Sequence, residues 1–146
     1  MLTALLQAIG SFAAGAVAWL VLEFFGRPLR KFYDLRGETI CLVAKTNNVS
    51  ARRKEIDTGY VEELDRSPEQ IADLTDATKL LRNLASRIRA FAANEASALW
   101  FLRWRGYDPM KASDGLFGLS NSLGTYGADK AFHKKTIAEA LRIIDL

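Results

Sequence analysis

Charged residues are absent from one long stretch at the start of the chain, and apolar positions recur with mostly helical spacing afterwards. Between Leu2 and Leu22 the clearly polar side chains are Thr3, Gln7 and Ser11, and none of them is charged. As an α-helix this stretch would be about 31 Å long, enough to cross the hydrocarbon core of a bilayer. The pattern therefore predicts a transmembrane anchor, which we assign to residues 1–25.

A cleaved signal peptide and a buried core helix of a soluble protein are the two other interpretations of the apolar stretch. A signal peptide carries its positive charge before the apolar run, whereas here the basic residues follow it. A core helix is usually shorter and has a polar stripe, which this stretch lacks. An anchor is the favoured interpretation.

Three small residues, Gly10, Ala14 and Ala18, fall four positions apart in the apolar stretch, and we call them the small-residue ridge. Such a ridge lets a second membrane helix approach closely, so packing against a copy of the chain or another membrane protein is one hypothesis. The alternative is that alanine and glycine are simply common in membrane helices.

Helical spacing beyond the anchor predicts two long helices. Gly26-Arg27-Pro28 is expected to end or kink the membrane helix, and a second helix is expected from Leu29 to about Lys54. A turn and loop follow to Arg66. A third helix is expected from Ser67-Pro68-Glu69-Gln70, where a capping hydroxyl precedes a proline suited to the first helical position. It is expected to end near Arg105-Gly106.

Apolar residues recur every three or four positions along the third helix and form what we call the apolar seam. A seam this long needs a partner surface, and the second helix is the nearest candidate for an antiparallel hairpin. Thr78 and Glu95 interrupt the seam; they could fix register or contact a partner, or they could be polar residues that the helix tolerates. The seam residues are Ile71, Leu74, Leu81, Ile88, Leu99 and Leu102.

Two shorter helices are expected at the C-terminus, over about 110–123 and 128–144. The inward-facing residues of the second are Phe132, Ile137, Ala140, Leu141 and Ile144. The glycines between Gly115 and Gly127 could form a ligand loop, but close helix packing explains them without a ligand. The predicted fold is therefore all-α. It has an N-terminal transmembrane helix, a long antiparallel helical hairpin and two shorter C-terminal helices, with residues 26–146 as one helical domain.

The location of the basic residues along the chain predicts the topology of the anchor. The chain of 146 residues has a formal net charge of +3, and its basic excess lies between residues 26 and 54, beside the anchor. The positive-inside rule then places the N-terminus outside and residues 26–146 in the cytoplasm. This basic segment can meet membrane lipid, which makes nucleic acid an unfavoured partner. The candidate headgroup ligands are Arg27, Arg30, Lys31 and Arg36.

Few residues are suited to catalysis. The one histidine, His133, precedes two lysines, has no second His or Cys at metal-ligand spacing, and is expected to be solvated. The one cysteine, Cys41, is expected to be a small buried side chain. We therefore expect no catalytic residue, no metal, no cofactor and no small-molecule substrate. An enzyme would need a polar pocket that gathers Cys41, His133 or several acids.

The run GRPLRKFYDLR at residues 26–36 resembles an uncharacterised family of small bacterial proteins with one membrane span. The resemblance extends to Arg89-Ala90-Phe91, Tyr107-Asp108-Pro109 and Gly118-Leu119-Ser120-Asn121, and it covers the whole chain. It implies the same architecture and the bacterial inner membrane. It implies no activity, catalytic residue or cofactor.

Two functional hypotheses follow. The first is a non-catalytic, membrane-anchored interaction or accessory protein that binds itself or another membrane protein through its helical hairpin. The second is a sensor of anionic lipid or of another anion that uses the basic segment. The first is favoured by the sequence, because basic residues beside a span are expected for topology alone.

Overall fold

The computed structural model describes residues 2–46, 68–123 and 128–144, and the regular elements in these ranges are all helical. The predicted all-α class is confirmed for them. The end of the second predicted helix, the loop and cap before Pro68, and the loop at 124–127 lie outside the described residues. The elements are α1 Leu2–Val21, a π-helical turn Leu22–Gly26, α2 Arg27–Thr46, α3 Pro68–Asn94, α4 Ala96–Trp104, α5 Pro109–Ser122 and α6 Ala128–Leu141.

Helix α1 continues into α2 through the π turn. The amide of Arg27 donates to the carbonyl of Leu22, five residues earlier, which is the hydrogen-bond pattern of a π-helix. Pro28 accounts for this widening, because it has no N–H to donate to the carbonyl of Phe24 and its ring crowds the preceding turn. At Gly26-Arg27-Pro28 the helix therefore widens for one turn and does not end.

Almost none of the apolar helix is covered by the rest of the chain. In the helix that runs from Gly10 to Thr46, the window apolar enough to cross a membrane is only 6% buried. Phe12 is 81% exposed and Trp19 is 60% exposed. A core helix of a soluble protein would be mostly buried, so this exposure argues against that interpretation. One N-terminal helix is long and apolar enough to span a membrane.

The hydrophobic core lies along α3 and α5. Helix α5 packs extensively against both α3 and α6, and α2 packs more sparsely against α3. Full burial of each large aliphatic side chain contributes about 1.5–3 kcal/mol. The largest buried side chains of these helices include Leu81, Leu84, Ile88, Leu116, Leu119, Ile137 and Leu141.

Contacts between α2 and α3 fix the relative direction of these helices. Residue numbers rise along α2 as those of the partners fall along α3, so the two helices run antiparallel here. Residues 47–67, which would join them, lie outside the described part, and the long hairpin stays a prediction. The contacts are Lys31 with Glu95, Phe32 with Phe91 and Glu38 with Arg87.

The apolar seam is buried only in part, and its main partner is α5 rather than α2. Leu81, Ile88 and Leu102 are fully buried, while Leu74 and Leu99 are half-buried. Ile71, the first seam residue, is 50% exposed and is not covered by another helix of the described part of the chain. Arg82 is the α3 residue that contacts Asn121, near the end of α5. Ile71 lies more than two turns before Arg82, so α5 ends before it reaches Ile71.

The continuous third helix that the seam predicts is interrupted at Glu95. This residue has φ −108° and ψ 61°, outside the helical region, which separates α3 from α4. Its amide still donates to the carbonyl of Phe91, and its carbonyl accepts from the amide of Leu99. These two bonds satisfy the backbone N–H and C=O of Glu95 itself, so the break leaves neither of its backbone groups unpaired.

Two glycines on α5 let α6 approach closely. A Cβ on Gly115 would lie 2.8 Å from Cγ1 of Ile137, and a Cβ on Gly118 would overlap the ring of His133. Lys111 also joins the two helices, through an ion pair with Glu139. The hydrogen bond from Lys111 and, to a lesser extent, its positive charge lower the pKa of Glu139 below the usual carboxyl value. The packing interpretation of the glycines therefore holds within α5.

Four side chains differ from the sequence expectations. His133 is half-buried against Gly118 rather than solvated, because the missing Cβ leaves room for its ring. Phe132 is 66% exposed, since α6 turns Ile137 and Leu141 inward instead. Ile144 lies beyond the end of α6 at Leu141 and is 89% exposed. Cys41 is exposed on α2 rather than buried.

Candidate anion-binding site

A cleft of about 470 Å³ opens between α2 and α3, directly after the π turn. Four of its lining side chains are basic and one, Asp34, is acidic. Leu35, Ala90 and Phe91 contribute its apolar surface, and Asn94 completes the lining. We call this feature the basic cleft. Its basic residues are Arg27, Arg30, Lys31 and Arg87.

Helical periodicity explains why these residues meet. The lining positions of α2 and of α3 each recur at intervals of three and four, so each set occupies one face of its helix. The antiparallel arrangement of the two helices brings these faces opposite one another. The α2 set is Arg27, Arg30, Lys31, Asp34 and Leu35, and the α3 set is Arg87, Ala90, Phe91 and Asn94.

Ion pairs within the chain engage three of the four basic side chains. All three lie at the surface, where such a pair contributes only about 0–1 kcal/mol, so an anion can displace the carboxylates at small cost. Arg30 is exposed and makes no ion pair with any residue that the structure describes. The pairs are Arg27 with Glu23 at 2.7 Å, Lys31 with Glu95 at 3.4 Å and Arg87 with Glu38 at 2.6 Å.

Arg36, the fourth predicted headgroup ligand, does not line the cleft. Its Nε donates to the carbonyl of Leu141 at 2.9 Å, and its Nη2 donates to the carbonyl of Arg142 at 3.0 Å. The last carbonyls of a helix lack partners within the helix and favour a nearby cation, so Arg36 stabilises the C-terminal end of α6. Two of its donors are therefore engaged by the fold.

Arg87 lines the cleft although the sequence does not single it out. It lies 60 residues from Arg27, outside the apolar seam, and no local motif marks it. Only the register between α2 and α3 brings it to the cleft. The sequence signal for that register is the pairing of opposite charges between the two helices, Glu38 with Arg87 and Lys31 with Glu95.

The small-residue ridge predicted on α1 is not covered by the described part of the chain. Gly10, Ala14 and Ala18 are all exposed, and no atom lies within 4 Å of a Cβ built on Gly10. The small-residue ridge is thus open along a helix that the described part of the chain does not cover.

Helix α4 begins beside the end of this apolar helix. The hydroxyl of Ser97 donates to the carbonyl of Phe24 at 2.9 Å, the carbonyl to which Pro28 cannot donate. This contact places the first turn of α4 at the level of the π turn.

Comparison with family models, with curated proteins and with solved structures gives no match for this chain. The family resemblance of residues 26–36 therefore stays a prediction. Within the described ranges, no three His, Cys, Asp or Glu side chains lie together as a metal site would require. The basic cleft is the site with the clearest chemistry, because four basic side chains and one carboxylate line it beside the apolar surface of Leu35, Ala90 and Phe91.

Proposed function

We propose that this chain is a non-catalytic protein anchored in a membrane by α1, whose basic cleft binds an anionic lipid headgroup. The observation that carries the proposal is the position of four basic lining residues directly after an uncovered apolar helix. The 20 residues of α1 measure about 30 Å, the thickness of the hydrocarbon core. The π turn and the cleft then lie at the headgroups. By the positive-inside rule, α2–α6 lie in the cytoplasm. The membrane would be the bacterial inner membrane, which the resemblance implies.

The cleft suits a phosphate group attached to an apolar body. Arginine donates two parallel hydrogen bonds to phosphate oxygens, and Arg27, Arg30 and Arg87 approach from two helices. A volume of about 470 Å³ is within the usual range of ligand sites. Phe91 and Leu35 provide apolar surface for the glycerol portion of a lipid.

The structure changes the order of the two sequence hypotheses. A partner protein was expected to bind the hairpin, but α5 covers much of the apolar seam. The cleft, in contrast, gathers Arg87 with three of the predicted headgroup ligands. Anionic lipid recognition therefore has the more specific support.

Replacing Arg30 with glutamine is expected to weaken binding of anionic lipid about fivefold. One basic residue near an anionic surface contributes about 1 kcal/mol, and Arg30 has no ion pair in the described ranges whose loss would disturb the fold. The measurement is calorimetric titration of the full chain in mild neutral detergent with short-chain phosphatidylglycerol.

Lys135→Gln is the matched control, because it removes the same charge from an exposed position on α6. Titration with short-chain phosphatidylcholine tests the need for negative charge, and inorganic phosphate tests whether the headgroup phosphate alone suffices. Equal weakening by Arg30→Gln and Lys135→Gln, or no weakening by Arg30→Gln, would contradict headgroup binding in the cleft.

A second candidate function, association with a copy of the chain or with another membrane protein, is supported by the exposure of the small-residue ridge. Gly10→Leu combined with Ala14→Leu is expected to abolish crosslinked dimers in native membranes, because bulky side chains separate the helices. Ala16→Leu is the control, since residue 16 lies on the opposite face of α1. Dimers that persist in the double variant, or a wild-type chain that stays monomeric, would argue against self-association.

A further inference from the structure

Helix α4 presents two tryptophans to solvent. Over the nine residues Ala96–Trp104 it buries Ala98 and Leu102, while Trp100 is 68% exposed and Trp104 is 72% exposed. The two tryptophans are four residues apart and share one face of the helix. Water is a poor environment for so much aromatic surface, about 150–250 Å² per side chain.

The position of α4 relative to the apolar helix indicates what covers this face. Ser97 donates to the carbonyl of Phe24, and α4 packs on the π turn. If α1 spans the hydrocarbon core, the π turn lies at the headgroup level, and Trp100 follows Ser97 by about 4.5 Å along the helix. The headgroup zone is roughly 5–7 Å thick in each leaflet, so Trp100 lies within or next to it.

The break at Glu95 keeps α4 out of the hydrocarbon. Helix α3 runs antiparallel to α2 and therefore approaches the membrane, with Asn94 lining the cleft beside Arg27. Ten further residues in the same direction would extend about 15 Å into the bilayer and carry Arg103 and Arg105 with them. The change of direction avoids this cost and leaves the tryptophans near the surface.

We infer that α4 is an interfacial helix whose Trp100 inserts among the lipid headgroups, with Trp104 at their outer edge, giving the chain a second lipid contact beside its span. Tryptophan favours this zone because its ring is apolar and its N–H can donate to headgroups or water. Trp19 and Phe24, at the end of the apolar helix, are also exposed. The inference rests on the proposed anchoring by α1.

Tryptophan fluorescence in vesicles tests this position. Three full-length variants each keep one tryptophan, Trp19, Trp100 or Trp104, with phenylalanine at the other two positions. Each is reconstituted into vesicles that contain lipids brominated near the start of the acyl chain. We expect Trp100 to lose emission to a degree comparable with Trp19, and Trp104 to lose a smaller but clear fraction. Circular dichroism confirms that each variant keeps its helical content.

The three variants separate failure of this inference from failure of the anchor. Quenching of Trp19 without quenching of Trp100 and Trp104 would overturn the interfacial helix and leave the span intact. Absence of quenching at all three positions would overturn the anchor and the interfacial helix together. Lipid binding by the cleft is measured independently by the Arg30→Gln titration.

Discussion

Replacing Gly115 with leucine is expected to lower the free energy of unfolding by about 3 kcal/mol. A Cβ at this position would already lie 2.8 Å from Cγ1 of Ile137, which is fully buried. The carbonyl oxygen of His133 and the amide nitrogen of Ile137 are 3.4 Å away, so backbone as well as side chain would have to move. Helices α5 and α6 would separate. The measurement is thermal unfolding of the full chain in mild detergent, followed by far-ultraviolet circular dichroism.

Gly37→Leu is the matched control. Gly37 also lies inside a helix, but nothing approaches within 4 Å of a Cβ built there. Because leucine favours the helix over glycine by roughly 0.5–1 kcal/mol, this variant is expected to unfold at a slightly higher temperature. Equal unfolding temperatures for the two leucine variants would show that α5 and α6 do not depend on the glycine for their close approach.

Replacing Arg36 with methionine is expected to cost about 2 kcal/mol of stability. Methionine keeps the apolar stem of the side chain and removes the donors to the carbonyls of Leu141 and Arg142. Hydrogen bonds from a charged donor contribute about 1.5–3 kcal/mol each, and partial exposure to solvent reduces that value. The same unfolding measurement in detergent applies, with the end of α6 as the segment that loosens.

Arg30→Met serves as the control for Arg36→Met. Both variants lose one positive charge from α2, but Arg30 makes no ion pair within the described ranges, so its loss should leave the unfolding temperature unchanged. The lipid titration should give the opposite pattern: Arg30→Met weakens lipid binding, and Arg36→Met leaves it unchanged. Unchanged stability together with weaker lipid binding by Arg36→Met would instead support the headgroup role that the sequence predicts for Arg36.

Local sequence signals predicted most of the helix boundaries that the structure describes. Helix α3 begins at Pro68, a residue type suited to the first helical position. Asp108 accepts a hydrogen bond from the amide of Lys111 and precedes Pro109 at the start of α5. Gly106, with φ 81°, follows the end of α4 in the left-handed conformation that favours glycine. The signals at Pro68 and Gly106 act within a few residues, which is why the sequence alone revealed them. The cap at Asp108 is equally local, but the predicted start of this helix, at about residue 110, does not use it.

Contacts between distant residues were not predictable in the same way. Arg36 meets the end of α6 more than 100 residues later, and Arg87 reaches the basic cleft through the packing of α3 on α2. Glu95 interrupts the seam as a polar residue, but its backbone angles depend on contacts that only the folded chain provides. The spacing of apolar residues continues through this position, so periodicity alone predicts one long helix where the structure has two.

The hydrogen bonding that carries α1 through the π turn into α2 couples the orientation of α2 to that of the proposed membrane helix. Membrane helices commonly tilt by about 20° from the bilayer normal. Since α2 is 20 residues or about 30 Å long, such a tilt would swing its far end sideways by roughly 10 Å. Small changes in bilayer thickness, by changing the tilt of α1, would then displace the far end of α2 laterally.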